Sequence, residues 1–232
     1  GQTLSVENPD KAKLQLLIDK GEYFACVEDD VDNIQSDVNL MDTWSKDASE
    51  RMKIKIDQRV LTDILPDISA LNKGATAGAI SGDIDLGTAG APEAMTTTNV
   101  IDLIVNMGTV LDEANTPESD RYLVIPAKMA GLIKRSDLKD ASLTGDSTSP
   151  LRNGRLGMID RFTVYMSHNL KKTGANFDVI AGHKMGFTFA SQMTEMETIR
   201  SESTFGNIVR GLQVYGYKVV KPEAICQAVV TL

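Results

Sequence analysis

One apolar stripe constrains this chain more than any other feature. From Met41 through Trp44, Ala48, Met52, Ile56 and Val60 to Ile64, apolar residues recur every three or four positions, which is the spacing of one face of an α-helix. Ser36 stands where an N-cap belongs, and Pro66 stops the run. Asp42 with Lys46 and Asp47 with Arg51 put an acid four residues before a base on the outward side. The stripe predicts one helix over 36–65, about 40 Å long at roughly 1.5 Å per residue. Such a length suits a strut across an elongated subunit better than a layer of a compact enzyme. Trp44 and the methionines read as packing on that face, not as a cofactor box.

Glycines 74, 78, 82, 87 and 90, among many Ala and Thr, predict a flexible connector over 70–96. Beyond it the pattern mixes helix and strand. Val100, Leu103, Ile104, Met107, Val110, Leu111 and Ala114 form a second helical face, opened by the Thr96–Thr98 cluster and closed by Asn115 and Pro117. Tyr122–Ile125 reads as a short buried strand. Pro126 then opens a helix carrying Met129, Leu132 and Ile133 on its apolar side and Lys134 and Arg135 at its C-terminal end. A polar stretch at 136–154 has the character of a functional or contact loop. Strands are expected at 156–166, 177–181, 187–190, 192–202 and 211–221, with a final apolar run from Ile225 to Leu232. The mixed order makes the class α+β.

Charge narrows the function. With 24 Lys plus Arg against 32 Asp plus Glu, the net charge is −8, which excludes a generally basic nucleic-acid binder. The acidity is concentrated: residues 1–69 carry 8 basic and 15 acidic side chains (8 − 15 = −7), leaving 16 and 17 (−1) for 70–232. No run approaches the roughly 18–20 apolar residues of a membrane span and no signal-peptide pattern opens the chain, so a soluble intracellular product without a membrane partner is expected.

The residues that could carry chemistry do not assemble into a known signature. Cys26 and Cys226 sit in apolar, strand-like contexts and are expected to be free and buried. His168 and His183 have neither an i, i+4 relation nor a paired Glu, so they read as loop or turn residues, not zinc ligands. Glu28, Asp29, Asp30 and Asp32 imitate a calcium loop, but Ile34 falls at a ligand position and no loop glycine follows; a solvated helix N-terminus is the better reading. Gly82 and Gly87 have phosphate-loop spacing, yet Thr88 stands where the lysine belongs, and Asp83 and Asp85 would repel a phosphate. GxSxG, HExxH and GxGxxG are absent. The expectation is therefore no catalytic, cofactor-binding or metal residues, and no cofactor.

Three stretches carry a resemblance: VIDLIVNMGTVLDEANTPESDRYLVIPAKMAGLIK at 100–134, LRNGRLGMIDRFTVYMSHNL at 151–170 and FGNIVRGLQVYGYKVVKPEAI at 205–225. In this order they resemble the major capsid proteins of tailed bacteriophages, with the Hong Kong phage type of capsid fold. The likeness runs from about Asp29 to the end. It implies that 1–35 is a remnant of the extended loop with a lead-in strand, and that 36–96 is the spine helix and connector of a peripheral domain. It further implies an axial domain at 97–190, with peripheral-domain strands and the C-terminal strand at 191–232.

By the same resemblance, Gly1 to about Tyr23 is the returning strand of that loop and the outgoing strand is missing, so a fragment is expected. Gly1 and Ser5 fit the spacing of a myristoylation signal, which a cut end accounts for more simply. The implied function is a coat subunit that assembles in the bacterial host cytoplasm into hexamers and pentamers of an icosahedral virion. The shell would enclose double-stranded DNA without sequence-specific binding, with scaffolding, portal or decoration proteins as further partners. An encapsulin shell protein packaging enzymes is the alternative, and a soluble enzyme or ligand-binding domain the second. A net acidic subunit fits a shell filled by a motor, because phosphate neutralisation by many Lys and Arg would oppose sliding.

Overall fold

The computed structural model describes residues 13–29, 40–136, 157–202 and 205–232. Its elements run β1 (Lys20–Asp29), α1 (Leu40–Asp63), β2 (Glu93–Ala94), α2 (Val100–Glu113), β3 (Arg121–Ile125), α3 (Ala127–Arg135), β4 (Met158–Ile159), β5 (Phe162–Met166), β6 (Lys172–Thr173), β7 (Asn176–His183), β8 (Phe187–Arg200), β9 (Gly206–Val219) and β10 (Ile225–Thr231). Among the described residues no helix is long and apolar enough to cross a membrane.

The long helix is present as α1, 24 residues ending three positions before Pro66; the expected cap Ser36 lies outside the described residues. Its stripe packs less completely than expected. Ile56 and Ile64 are buried and Ala48, Met52 and Val60 half-buried, but Trp44 is exposed. α1 rests on a three-stranded antiparallel sheet, β1-β9-β8, chiefly on β1 and β9. β1 pairs with β9 over ten residues, from Lys20–Tyr215 to Asp29–Gly206.

β8 and β9 form a hairpin of two 14-residue strands. The two strands expected at 187–190 and 192–202 are one, with a β-bulge between Ser191 and Met193. The bulge reverses which face of the sheet each side chain points to. Before it, Phe187 and Phe189 pair with Val219 and Tyr217, on the α1 side; after it, Glu195 and Glu197 pair with Leu212 and Arg210, on the opposite face.

The second sheet has the order β2-β10-β7-β3-β5-β4, with β6 paired to β7. β3–β5 and β10–β2 are parallel and the other pairs antiparallel, so the α+β class holds. One face is covered by α2 and α3, whose Val100, Leu103, Ile104, Met107, Met129 and Ile133 pack on Leu123, Val179, Ala181 and Ala228. The other face meets the first sheet: Ile64, Leu65 and Ile68, at and beyond the end of α1, pack with Leu170, Ile180, Val219 and Ile225. The strand expected at 156–166 is split into β4 and β5 by Asp160 and Arg161, both at positive φ (45° and 65°), the geometry of a two-residue hairpin turn.

Three expectations are corrected here. The connector over 70–96 is not flexible, because it is bonded onto β10: Leu86 N–H donates to Gly74 (2.9 Å) and Val229 N–H donates to Leu86 (2.8 Å). Gly87 (φ 75°) is required there, since a Cβ would lie 2.2 Å from the Val229 oxygen. Glu28 and Asp29 end a strand instead of opening a helix, and Glu28 is buried; Asp30 and Asp32 lie outside the described residues. Residues 13–19, expected in the returning loop strand, have no regular structure. They cross β9, where Lys218 Nζ donates to the Gln15 carbonyl (3.1 Å) and the missing Cβ of Gly216 makes room for Leu17. Residues 1–12 and most of the polar loop at 136–154 lie outside the described residues.

Candidate assembly surface

The seam between α1 and its sheet is mostly polar. Glu22, on the α1 side of β1, is buried and accepts from Lys55 Nζ at 2.6 Å and Arg59 Nη1 at 3.2 Å. The hydrogen bond to Glu22 holds the Lys55 ammonium above the ordinary lysine range. One turn on, the Tyr217 hydroxyl donates to Asp63, and burial together with that carboxylate pushes the Tyr217 phenol up. Lys20 Nζ lies over the Tyr217 ring, 4.8 Å from its centroid. On the surface of α1, Arg51 and Asp47 form the expected pair at 2.8 Å; the Asp42 side chain lies outside the described residues.

The opposite face of this sheet has no covering element among the described residues. Tyr23, Ala25, Leu212, Glu195, Glu197 and Arg210 line a groove there of about 450 Å³. Tyr23 is 79% exposed, and Arg210 is paired with Glu197. β1 and β8 are both edge strands. Long edges and an apolar face rimmed by charge are what a subunit leaves open for neighbours.

The second sheet carries a rigid charged hub. Arg121, at the start of β3, is fully buried and donates to the carbonyls of Thr116 (2.6 Å), Pro117 (2.8 Å) and Gly108 (3.4 Å) and to Asp112 Oδ1 (2.6 Å). It thereby satisfies the Thr116 and Pro117 carbonyls in the turn that follows α2. Asp112 also accepts from Arg161 at 2.8 Å, which ties the β4–β5 turn to α2. Partial burial pulls the Asp112 carboxyl upward, but the hydrogen bonds from Arg161 and Arg121 outweigh it and hold it below the ordinary carboxylate range. The next residue, Glu113, faces the connector and accepts from the Ile80 and Ser81 amides at 2.8 and 3.1 Å. Nothing in the sequence marked Arg121 or Glu113. The only signal was position: an arginine just after a helix-closing Asn-Thr-Pro.

The residues singled out for chemistry are scattered. Cys26 is in β1 and only half-buried, while Cys226 is in β10 of the other sheet and fully buried, which pushes its thiol up. Burial of Cys26 was expected and is corrected, because α1 covers only part of that face. His168 is an exposed loop residue. His183, expected in a loop, ends β7 and is buried, with Nδ1 accepting from the Met185 amide at 3.1 Å. Asp85 Oδ1 accepts from the Gly87 amide (2.8 Å) and Thr88 Oγ1 from the Ala91 amide (3.1 Å), so both shape the connector's own turns. Among the described residues no three His, Cys, Asp or Glu side chains converge as a metal set.

Comparison with known proteins gives this geometry its context. No curated protein sequence matches the chain. A solved structure from Mycobacterium phage Che8 superposes with a TM-score of 0.74 at 26% identity, covering 97% of this chain and 76% of that one. The capsid of cyanophage P-SCSP1u gives 0.64 at 15% identity, covering 97% and 79%. The holo-SrpI encapsulin of Synechococcus elongatus gives 0.58 at 7% identity, covering 91% and 73%. The phage capsid protein family matches residues 14–228, nearly the whole chain, and this protein belongs to that family.

Proposed function

We propose that this chain is the major coat subunit of a phage head, forming the hexamers and pentamers of an icosahedral shell around double-stranded DNA. The observation that carries the reading is the open architecture of the first sheet in a chain of the capsid family: among the described residues, a long helix on one side, two unpaired edges and an uncovered, partly apolar face on the other. Such surfaces stabilise little within one subunit and are buried when many copies close by symmetry. In this reading 36–96 and 191–232 build the peripheral domain and 97–190 the axial domain, with β10 as the strand that the peripheral run lends to the second sheet. The subunit is structural and not catalytic. It touches DNA without sequence preference, and scaffolding, portal and decoration proteins are its further partners during assembly in the host cytoplasm.

The test is electron microscopy and sedimentation velocity of particles from cells expressing the protein. Closed shells containing nuclease-protected DNA in an infected or induced host are expected; particles filled with a defined protein cargo would support the encapsulin alternative, which the likeness to the Synechococcus shell keeps in view. A strictly monomeric protein would overturn both.

A further inference from the structure

Among the described residues the chain passes between the two sheets three times: from α1 into the connector, from β7 to β8 and from β9 to β10. The three crossings are fastened to one another. On the third, the Val220 and Lys221 amides both donate to the Gly186 carbonyl of the second (2.8 and 3.1 Å), and the Pro222 carbonyl accepts from Ser69 N–H of the first (3.3 Å). Asn72 Nδ2 adds bonds to the Glu223 and Ile225 carbonyls at 2.6 and 3.0 Å. Gly186 is buried in this joint, where a Cβ would lie 2.6 Å from Ile225 Cγ1. The second crossing is a single 3-10 turn, Lys184–Gly186, and a histidine caps it. His183 is 5% exposed, and its Nδ1 accepts from Met185 N–H at 3.1 Å. The usual capping side chains of Ser, Thr and Asn offer an oxygen that accepts at any pH. An imidazole does so only while uncharged, because its protonated form carries N–H on both nitrogens and accepts nothing.

We propose that His183 makes the joint between the two sheets pH-sensitive: uncharged, it caps the turn, and protonated, it sets a donor against the Met185 amide and releases the turn that positions the Gly186 carbonyl. The charged and titratable groups around it offer the imidazolium no replacement partner. Arg121, opposite His183 in the β3–β7 register, is buried and already a fixed cation. Asp120 is paired with Lys184, whose hydrogen bond holds that carboxyl below the ordinary range, so it stays charged in mild acid. Glu118 is turned to Arg161, and Lys221 and Glu223 of the third crossing are exposed to solvent. Tyr122, next on β3, has its phenol pushed up to about 12 by burial and stays neutral. An imidazole takes up its proton near pH 6.5 when nothing shifts it, so the cap is in place at pH 7.5 and withdrawn towards pH 5.

The experiment is hydrogen–deuterium exchange of the full chain between pH 7.5 and 5, read by mass spectrometry at the amides of Met185, Val220 and Lys221 and corrected for the intrinsic pH dependence of exchange. Three proteins are compared: wild type, His168→Gln, which removes the other of the two histidines, and His183→Asn. Asparagine keeps a side-chain acceptor for the amide two residues on and cannot be protonated. Wild type and His168→Gln are expected to lose about tenfold in protection at the three amides, the worth of one hydrogen bond, while α2 and the β3–β7 pairing keep theirs. His183→Asn is expected to show no pH step. A wild type without the step, a step shared by His183→Asn, or a loss spread evenly over α2 would each overturn the proposal. Thermal melts at pH 7.5 check folding. If His183→Asn does not fold, His168→Gln decides alone, since His183 is then the sole imidazole: a step centred near pH 6.5 is expected, and one centred near pH 4, where carboxylates titrate, would overturn the proposal.

Discussion

Replacing Arg121 by Met tests whether the buried guanidinium is what joins α2 to the second sheet. Methionine fills much of the same volume, so the change removes hydrogen bonds more than packing. One buried acceptor, the Thr116 carbonyl, loses its donor outright; that of Gly108 lies inside α2 and keeps its helical partner, and that of Pro117 is only partly buried and regains water. An orphaned buried acceptor costs about 1–3 kcal/mol. Asp112 keeps Arg161 and is open to solvent, so its share of the loss is small. At about 2–4 °C per kcal/mol for a chain of this size, the melting temperature should fall by roughly 2–12 °C, read by circular dichroism under reversible conditions. Lys at 121 keeps the charge but not the fork and should recover only part of this. A drop of about 1 °C or less in Arg121→Met would refute the reasoning, because the orphaned carbonyl would then have found water.

Acid should reveal the same hub. The Asp112 carboxyl is held below its ordinary value in the folded chain, so its contribution is complete above the unfolded value of about 4 and is lost as pH falls through the lower folded value. Thermal melts of Asp112→Asn should accordingly show a shallower loss of stability below about pH 4 than the wild type, and identical slopes would contradict the assignment. Cys26 should alkylate in the native protein while Cys226, fully buried, reacts only on unfolding; mass spectrometry finding equal native rates would count against the structure of β10. Gly87→Ala should cost several-fold more stability than Gly82→Ala, because a Cβ at 87 meets the Val229 oxygen whereas at 82 it meets nothing within 4 Å; both carry the positive-φ penalty of about 1 kcal/mol, and equal melts would show that the connector is looser than described.

Elements with strong periodicity were legible in the sequence. α2 begins at Val100 as read, Asn115 takes the left-handed conformation that closes it, and Pro126 caps α3. These signals are local, written in residues within one or two turns of each other. What failed depended on distant partners. The glycines at 74 and 87 read as looseness because glycine permits many conformations; only the approach of β10 selects one. Trp44 read as packing because its spacing is right, but the sheet beneath α1 leaves it exposed. Arg121 carried no mark in the sequence, since arginine is usually exposed, and it is buried because the turn after α2 offers the Thr116 and Pro117 carbonyls, which need a donor. The assembly surface left little local trace, since a patch for a neighbour looks in sequence like ordinary scattered apolar residues.

The bulge between Ser191 and Met193 makes β8 a strand with two reading phases. Its one extra residue lets a single segment supply Phe187 and Phe189 to the α1 side and, a few residues later, Glu195 and Glu197 to the other face. Deleting Gln192 would remove that extra residue and leave Met193 onwards with their present partners, so Glu195 and Glu197 would still point away from α1. A deletion elsewhere on the strand would instead turn the residues beside it to the wrong face, carrying a glutamate towards the already neutralised Glu22 or a phenylalanine away from α1. Position 192 is therefore the place on β8 where a residue can be lost without a change of phase, and single-residue deletions should be far less tolerable on either side of it than there.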